Sequence, residues 1–124
     1  MKKKNPLYKS FGHAFAGLFA VIKEERNIKI HLTITALVVI AGVILNISAL
    51  EWCICLTLFG LVLALEVENT AIEKTVDLVT EEYHPLAKQA KDMAAGAVLI
   101  AAIMAAIAGL VIFIPKGIEF ISVH

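Results

Sequence analysis

The sequence predicts an all-α membrane protein, with one amphipathic surface helix followed by three membrane-spanning helices. Three observations lead there. The 124 residues are 60% hydrophobic with zero formal net charge, and the mean hydropathy is +0.85. Such a chain is too apolar for an ordinary soluble domain and too short for more than one domain. Three stretches, about 30–50, 52–71 and 94–114, each supply the roughly 20 apolar residues that a helix needs to cross a bilayer. The charges gather between those stretches, and one cluster begins at Glu66, where an uncharged helix is still leaving the lipid.

The elements follow in order. Residues 1–5 form a basic tail suited to anionic headgroups. From Pro6 onward, Phe11, Phe15, Leu18, Phe19 and Ile22 recur at helical spacing, with Lys9, His13 and Lys23 off the centre of that stripe. This is the pattern of a helix lying in the membrane interface. A short helix packed on the bundle is the alternative, and so little soluble protein is on offer that the interface is preferred. Lys23-Glu24-Glu25-Arg26-Asn27 is a charged hinge that closes the segment 1–28. The first span carries no charge beyond its opening His31 and ends around Asn46-Ile47-Ser48. It is too long, and too far from the N-terminus, for the apolar region of a signal peptide.

Glu51 and Trp52 mark the far interface, where tryptophan is favoured. The second helix runs from 52 to about 80, roughly 43 Å at 1.5 Å per residue, against a hydrocarbon core of roughly 30 Å. Its last turns therefore stand in the headgroups or beyond. Glu81-Glu82-Tyr83-His84-Pro85 breaks the helix, because His84 precedes a proline and is pushed away from helical angles. A short polar stretch, 86–92, then leads into the third span at 94–114. There Ala94, Ala97, Ala101, Ala105 and Ala108 trace a stripe of small residues, with Gly96 and Gly109 nearby, that lets helices approach closely. Residues 1–124 read as one membrane domain. Three spans are few to enclose a site, so a homo-oligomer is expected.

Orientation follows from the basic residues. Ten of the eleven lysines and arginines precede the first span or lie between the second and third, and Lys116 alone follows the third. The positive-inside rule places the N-terminus in the cytoplasm and the C-terminus outside. Cys53 and Cys55 lie 200° apart on a helix, so they can neither pair nor chelate one ion, and they read as small packing residues.

The acids carry the chemistry. At 100° per residue Glu66, Asn69, Glu73 and Asp77 share a face about 80° wide. A carboxylate at the bilayer centre costs roughly 2.5–3.5 kcal/mol on insertion scales, so several near one depth mark a site. The chain has no GxxxxGK[ST] loop, kinase glycine loop, HRD or DFG signature, GxSxG elbow or HExxH helix. What remains is Glu25, Glu66, Asn69, Glu73, Asp77, Lys91 and Asp92 near the cytoplasmic surface. Hard oxygen ligands of this kind suit magnesium, which is usually held by one or two carboxylates plus substrate phosphates. A lysine there can take phosphate as a point charge, and Glu66, deeper, can accept a proton from a lipid hydroxyl. Glu24, Glu81 and Lys88 read as solvated. Glu68 points some 140° from the centre of the stripe and is left for a partner on another helix.

Glu66-x-x-Asn69-Thr70-Ala71-Ile72-Glu73-x-x-Val76-Asp77, followed by Glu82-Tyr83-His84 and Ala90-Lys91-Asp92-Met93, resembles the prokaryotic diacylglycerol kinase family, which includes undecaprenol kinases. The likeness runs from Ser10-Phe11-Gly12-His13-Ala14-Phe15 through the third span. It implies a homotrimer in the bacterial inner membrane, with active sites shared between neighbours at the cytoplasmic interface. It also implies ATP as phosphate donor, magnesium as cofactor and a lipid alcohol as acceptor, with no nucleic-acid partner. By match to the motif, Glu66 would be the catalytic base and Asn69 its support. Glu25 and Glu73 would hold the metal and contact the nucleotide, which Glu82, Tyr83, His84, Lys91 and Asp92 would line. Where the enterobacterial pattern has an arginine and a tyrosine near the N-terminus, this chain has Lys9 and His13.

Glu25-Arg26-Asn27-Ile28-Lys29-Ile30-His31 resembles the undecaprenol kinases more than the enterobacterial diacylglycerol kinase, which favours undecaprenol over diacylglycerol. A small ion-coupled transporter is the competing reading, since intramembrane acids also mark ion pathways. Against it, the acids cluster at one end and the third span offers none. A non-catalytic scaffold would leave the acidic stripe idle.

Overall fold

The computed structural model describes residues 6–124, and the basic tail expected over residues 1–5 lies outside them. Four helices make up the fold: α1 (Leu7–Glu24), α2 (Arg26–Leu45), α3 (Ala49–Val79) and α4 (Pro85–Val123). The last three are long and apolar enough to cross a membrane. Helices are what such a sequence requires, because hydrocarbon offers the backbone no outside partner for its polar groups.

The hinge expected between the first two helices is a single residue. Glu25 is extended (φ −103°, ψ 123°) and serves both as C-cap of α1 and N-cap of α2. Helix α1 does not pack along the bundle. Val21, near its C-terminal end, is its buried residue, while Leu7, Phe11, Phe15 and Phe19 stay exposed. An apolar stripe left open in this way suits an interfacial seat and not the bundle-packed alternative.

Two boundaries differ from expectation. The first span ends at Leu45, at the expected Asn46-Ile47-Ser48 but short of the apolar stretch that runs to about residue 50. Asn46 adopts left-handed angles (φ 53°), which asparagine tolerates better than most residues. The Ile47 amide then returns to the Gly42 carbonyl at 3.2 Å. Ser48 opens α3 with a capping box: its hydroxyl accepts from the Glu51 amide at 3.2 Å, and the Glu51 carboxylate accepts from the Ser48 amide at 2.9 Å. Ala49 and Leu50 therefore belong to α3. The third span, in turn, has no separate polar lead-in. Pro85 occupies the first turn of α4, and the helix runs through 86–92 and 94–114, past Pro115, to Val123. Proline is tolerated at N1, where its missing N–H has no helical partner to lose. At position 115 it removes one hydrogen bond from a helix otherwise free to continue.

Helices α3 and α4 pack antiparallel over most of their length. Lys91 of α4 meets Asp77 near the end of α3 at 2.6 Å, and Lys116 meets Glu51 at its start at 3.3 Å. Val62, Glu66, Asn69 and Thr70 of α3 are buried, as are Ala94, Val98 and Ala101 of α4. The small-residue stripe thus serves in part to bring α4 close within one protomer. At the other end Ile47, Cys55 and Ile112 form an apolar cluster against Leu45, Trp52, Phe59 and Phe113. Cys53 and Cys55 are both free thiols, and Cys55 packs in this cluster as expected.

Trp52 does more than mark an interface. Its indole lies on Gly42 of α2, where an added Cβ would stand 2.8 Å from Trp52 Cη2 and 3.2 Å from Ile47 Cδ1. Overpacking at such a contact costs about 1–3 kcal/mol. Gly42→Val is therefore expected to lower stability by about that amount, with Gly42→Ala in between. Unfolding by sodium dodecyl sulfate from mild detergent measures it.

Candidate functional site

The polar residues singled out by sequence fall into two neighbouring groups. The deeper group is built on α3. Glu66 lies fourteen residues past Trp52, about 21 Å along the axis, and its side chain is 7% exposed. Its Oε1 stands 3.5 Å from Nε2 of His31 on α2. Among the described residues this imidazole is the one basic group within ion-pair reach of it. One turn on, the Thr70 hydroxyl donates to the Glu66 carbonyl at 3.1 Å. Asn69 is buried, and its Nδ2 donates to Glu73 Oε1 at 2.8 Å. A carboxylate can only accept, so the amide must turn its nitrogen to Glu73. That leaves Asn69 Oδ1 buried with no hydrogen-bond partner among the described residues. An unpaired buried acceptor costs about 1–3 kcal/mol, so a donor arriving there is bound favourably.

Below this group an apolar groove of about 470 Å³ runs between α2, α3 and α4. Ile34, Val38, Val62, Leu110 and Phe113 line it, and His31 and Thr35 are its polar members. The Thr35 hydroxyl donates to the His31 carbonyl at 2.8 Å. The imidazole is therefore the groove's polar rim, with the Glu66 carboxylate on its other side.

The outer group stands at the junction of α3 and α4. Glu82, Tyr83, His84, Lys91 and Asp92 all line one concavity of about 330 Å³, together with Lys88. Local chemistry shapes it. The Thr80 hydroxyl accepts from the Glu82 amide at 3.1 Å, which tightens the turn. His84 caps α4, its Nδ1 accepting from the Leu86 amide at 3.1 Å. That role fixes the tautomer, so Nε2 carries the proton and is free to donate outward. Lys91 is engaged by Asp77 at 2.6 Å and Lys88 by Asp92 at 2.5 Å.

Glu25 and Glu73 do not line that concavity. Glu73 is held by Asn69, and Glu25 sits half-buried at the α1–α2 break, its carboxylate making no hydrogen bond or ion pair with the described residues. Among the described residues no three His, Cys, Asp or Glu side chains converge as a metal cage. The Glu25 and Glu73 carboxylates are nonetheless hard-oxygen donors of the kind magnesium takes as its few protein ligands.

Glu24, read from sequence as solvated, is exposed as expected and also carries an ion pair. Lys74 donates to its Oε2 at 2.6 Å, tying the hinge to α3. Lys88, read the same way, is likewise paired, while Glu81 and Glu68 are exposed. Sequence reasoning missed the His31–Glu66 contact as well. The signal for it was a lone histidine inside an otherwise uncharged span, since an ionisable residue in a membrane helix is a functional candidate by default.

Comparisons with known proteins bear on the family. A profile of the family described as prokaryotic diacylglycerol kinase matches residues 12–113. The chain is 47% identical to a Bacillus subtilis protein named undecaprenol kinase, over 90% of this chain and 91% of that one. It is 43% identical to a Synechocystis diacylglycerol kinase, over 86% of this chain and 61% of that protein. It is 35% identical to the Escherichia coli K12 diacylglycerol kinase, over 82% and 83% of the two chains.

The hinge contact yields a titration. The Lys74 ammonium, by hydrogen bond and by charge, holds the Glu24 carboxyl below its ordinary value. A depressed carboxylate makes its contribution above the ordinary range and loses it as pH falls through the lowered value. Lys74→Ala should therefore move the Glu24 titration up toward the ordinary glutamate value. Carboxyl-carbon NMR in micelles reads that shift directly, and an unmoved titration would exclude the pair in solution.

Proposed function

This chain belongs to the prokaryotic diacylglycerol kinase family and is a membrane lipid kinase, and we propose that it transfers the γ-phosphate of ATP to the terminal hydroxyl of undecaprenol. The observation that carries the reading is the seat of Glu66. A buried carboxylate stands where an apolar groove ends and a row of polar side chains begins. A long lipid alcohol needs such a seam: an apolar wall for its chain, and a base at the depth of its hydroxyl. The identity of 47% over nine-tenths of both chains to a protein named undecaprenol kinase supports a polyprenol. Diacylglycerol is the second reading, supported by the names of the relatives at 43% and 35%.

In this reaction Glu66 takes the proton of the lipid hydroxyl as its oxygen attacks the γ-phosphorus, and the bond from that phosphorus to the bridging oxygen of the leaving ADP breaks. Phosphoryl transfer of this kind is chiefly positioning and charge neutralisation. His84, with Nε2–H directed outward, and Lys91 donate to phosphate oxygens, Lys91 exchanging Asp77 for the ligand. Glu82, Tyr83 and Asp92 shape the nucleotide's seat. Asn69 braces the row, its amide held by Glu73 and its free Oδ1 ready for a donor. Glu25 and Glu73 would hold magnesium, which when bound neutralises charge on the phosphates.

The arrangement at large follows the same reading. The single domain spans the bacterial inner membrane with its N-terminus in the cytoplasm, as the lysines and arginines direct. The nucleotide seat then faces the compartment that holds ATP. Three copies assemble as a homotrimer, in which neighbours complete a site that one thin three-span bundle leaves open.

The test is a phosphate-transfer assay with labelled ATP, offering purified protein undecaprenol and diacylglycerol side by side. Transfer to undecaprenol should be the faster. Glu66→Gln should lose transfer by at least about 100-fold, the low end of what a general base contributes, while the oligomer persists. Faster transfer to diacylglycerol would reverse the choice of substrate. Wild-type turnover in the variant would remove Glu66 from its role.

A further inference from the structure

We propose that His31 is a positioning residue for the transfer reaction: its Nε2 holds one carboxylate oxygen of Glu66 and leaves the other to meet the lipid hydroxyl. The proposal rests on the reading of Glu66 as the base. It begins from an imbalance in the deeper group. Asn69 and Glu73 hold each other, and Asp77 has Lys91, whereas the carboxylate of Glu66 has His31 as its ion-pair partner among the described residues. A glutamate has three side-chain torsions, and burial alone does not choose among them. A base must present its oxygen within a fraction of an ångström, and a misplacement of about 1 Å can cost 100-fold in rate.

The geometry fits such a brace. His31 lies five residues into α2, about 8 Å from its start along the axis, on the side that faces α3. Its Nε2 is 3.5 Å from Glu66 Oε1, with side chains 25% and 7% exposed. That separation exceeds a formed hydrogen bond, and catalytic contacts commonly tighten only when substrate is bound. The ring is also part of the groove wall. One residue therefore touches both the base and the space where the lipid chain would lie. An imidazole suits that double duty, since its flat ring packs against apolar side chains while one edge donates. A lysine there would put a strongly hydrated full charge at the groove's mouth.

The experiment compares His31→Leu, His31→Gln and His31→Asn with Glu66→Gln in the full chain. It uses mixed micelles with ATP and undecaprenol, and follows thermal stability alongside. A glutamine amide nitrogen reaches the place of Nε2, and an asparagine amide stops one carbon short. The Leu variant should lose kcat about 10- to 100-fold with KM for ATP within about twofold. The Gln variant should recover most of kcat and the Asn variant little. Wild-type kcat in the Leu variant, or Asn performing as well as Gln, overturns the positioning role while an inactive Glu66→Gln leaves the base intact. Losses of kcat that simply track thermal stability overturn it too. Should the Leu variant not fold, the contrast between Gln and Asn decides. An active Glu66→Gln overturns the base and the brace together.

Discussion

A carboxylate at lipid depth must find its counterpart inside the protein, because hydrocarbon supplies none. Glu66 meets that condition through His31, and much of the fold is arranged around it. The contact needs α2 and α3 to run antiparallel, in register, with His31 opposite Glu66. The turn at 46–48 achieves this in three residues, where a longer loop would leave the register loose. At the other end of the same pair, Gly42 removes its side chain so that Trp52 can lie flat on α2. The two contacts stand eleven residues apart on α2 and fourteen apart on α3. Together they fix the depth at which the carboxylate sits.

Helix length then separates the polar groups by depth. At 20 residues, α2 is about 30 Å long and matches a hydrocarbon core; α3 and α4, at 31 and 39 residues, are about 46 and 58 Å and overshoot it. The excess of α3 carries Glu73 and Asp77 out of the lipid, and the first two turns of α4 return Lys88, Lys91 and Asp92 beside them. A helix that stopped at the membrane surface could carry Glu66 or Asp77, but not both on one rigid rod. Glu66 and Asp77 are eleven residues apart, about 16 Å, with no flexible joint between them.

Most of this scaffold was legible in the sequence because its signals are local. Uncharged runs locate spans, the proline at 85 breaks the second helix, and the spacing of Glu66, Asn69, Glu73 and Asp77 puts them on one face. What escaped was of two kinds. Boundaries at residues 45–50 and beyond 114 moved because an αL asparagine closed one helix earlier than hydropathy does, and α4 continued through Pro115 past its uncharged run. Pairings between distant segments escaped for a different reason. Glu24 meets Lys74 across 50 positions, and no periodicity within either helix reports the rotation of one about the other. The His31–Glu66 contact is of this second kind. Membership of one face could be read for Glu66, but what it faces could not.

The same distinction explains why the site's polar inventory does not balance within one chain. The outer group closes on itself, with Lys91 on Asp77 and Lys88 on Asp92. Among the described residues the deeper group keeps an unpartnered Asn69 Oδ1 and a Glu66 carboxylate with His31 3.5 Å from one oxygen, and the Glu25 carboxylate is left open at the hinge. Buried acceptors in excess of donors are costly unless something supplies the missing hydrogens or charge. On the proposed function the ligands bring both: a hydroxyl proton to Glu66 and a cation to the carboxylates. On the same reading phosphate oxygens would draw Lys91 from Asp77. On that reading the surplus of acceptors at Glu66 and Asn69, and the paired cations at the junction of α3 and α4, complement a lipid hydroxyl and a nucleotide.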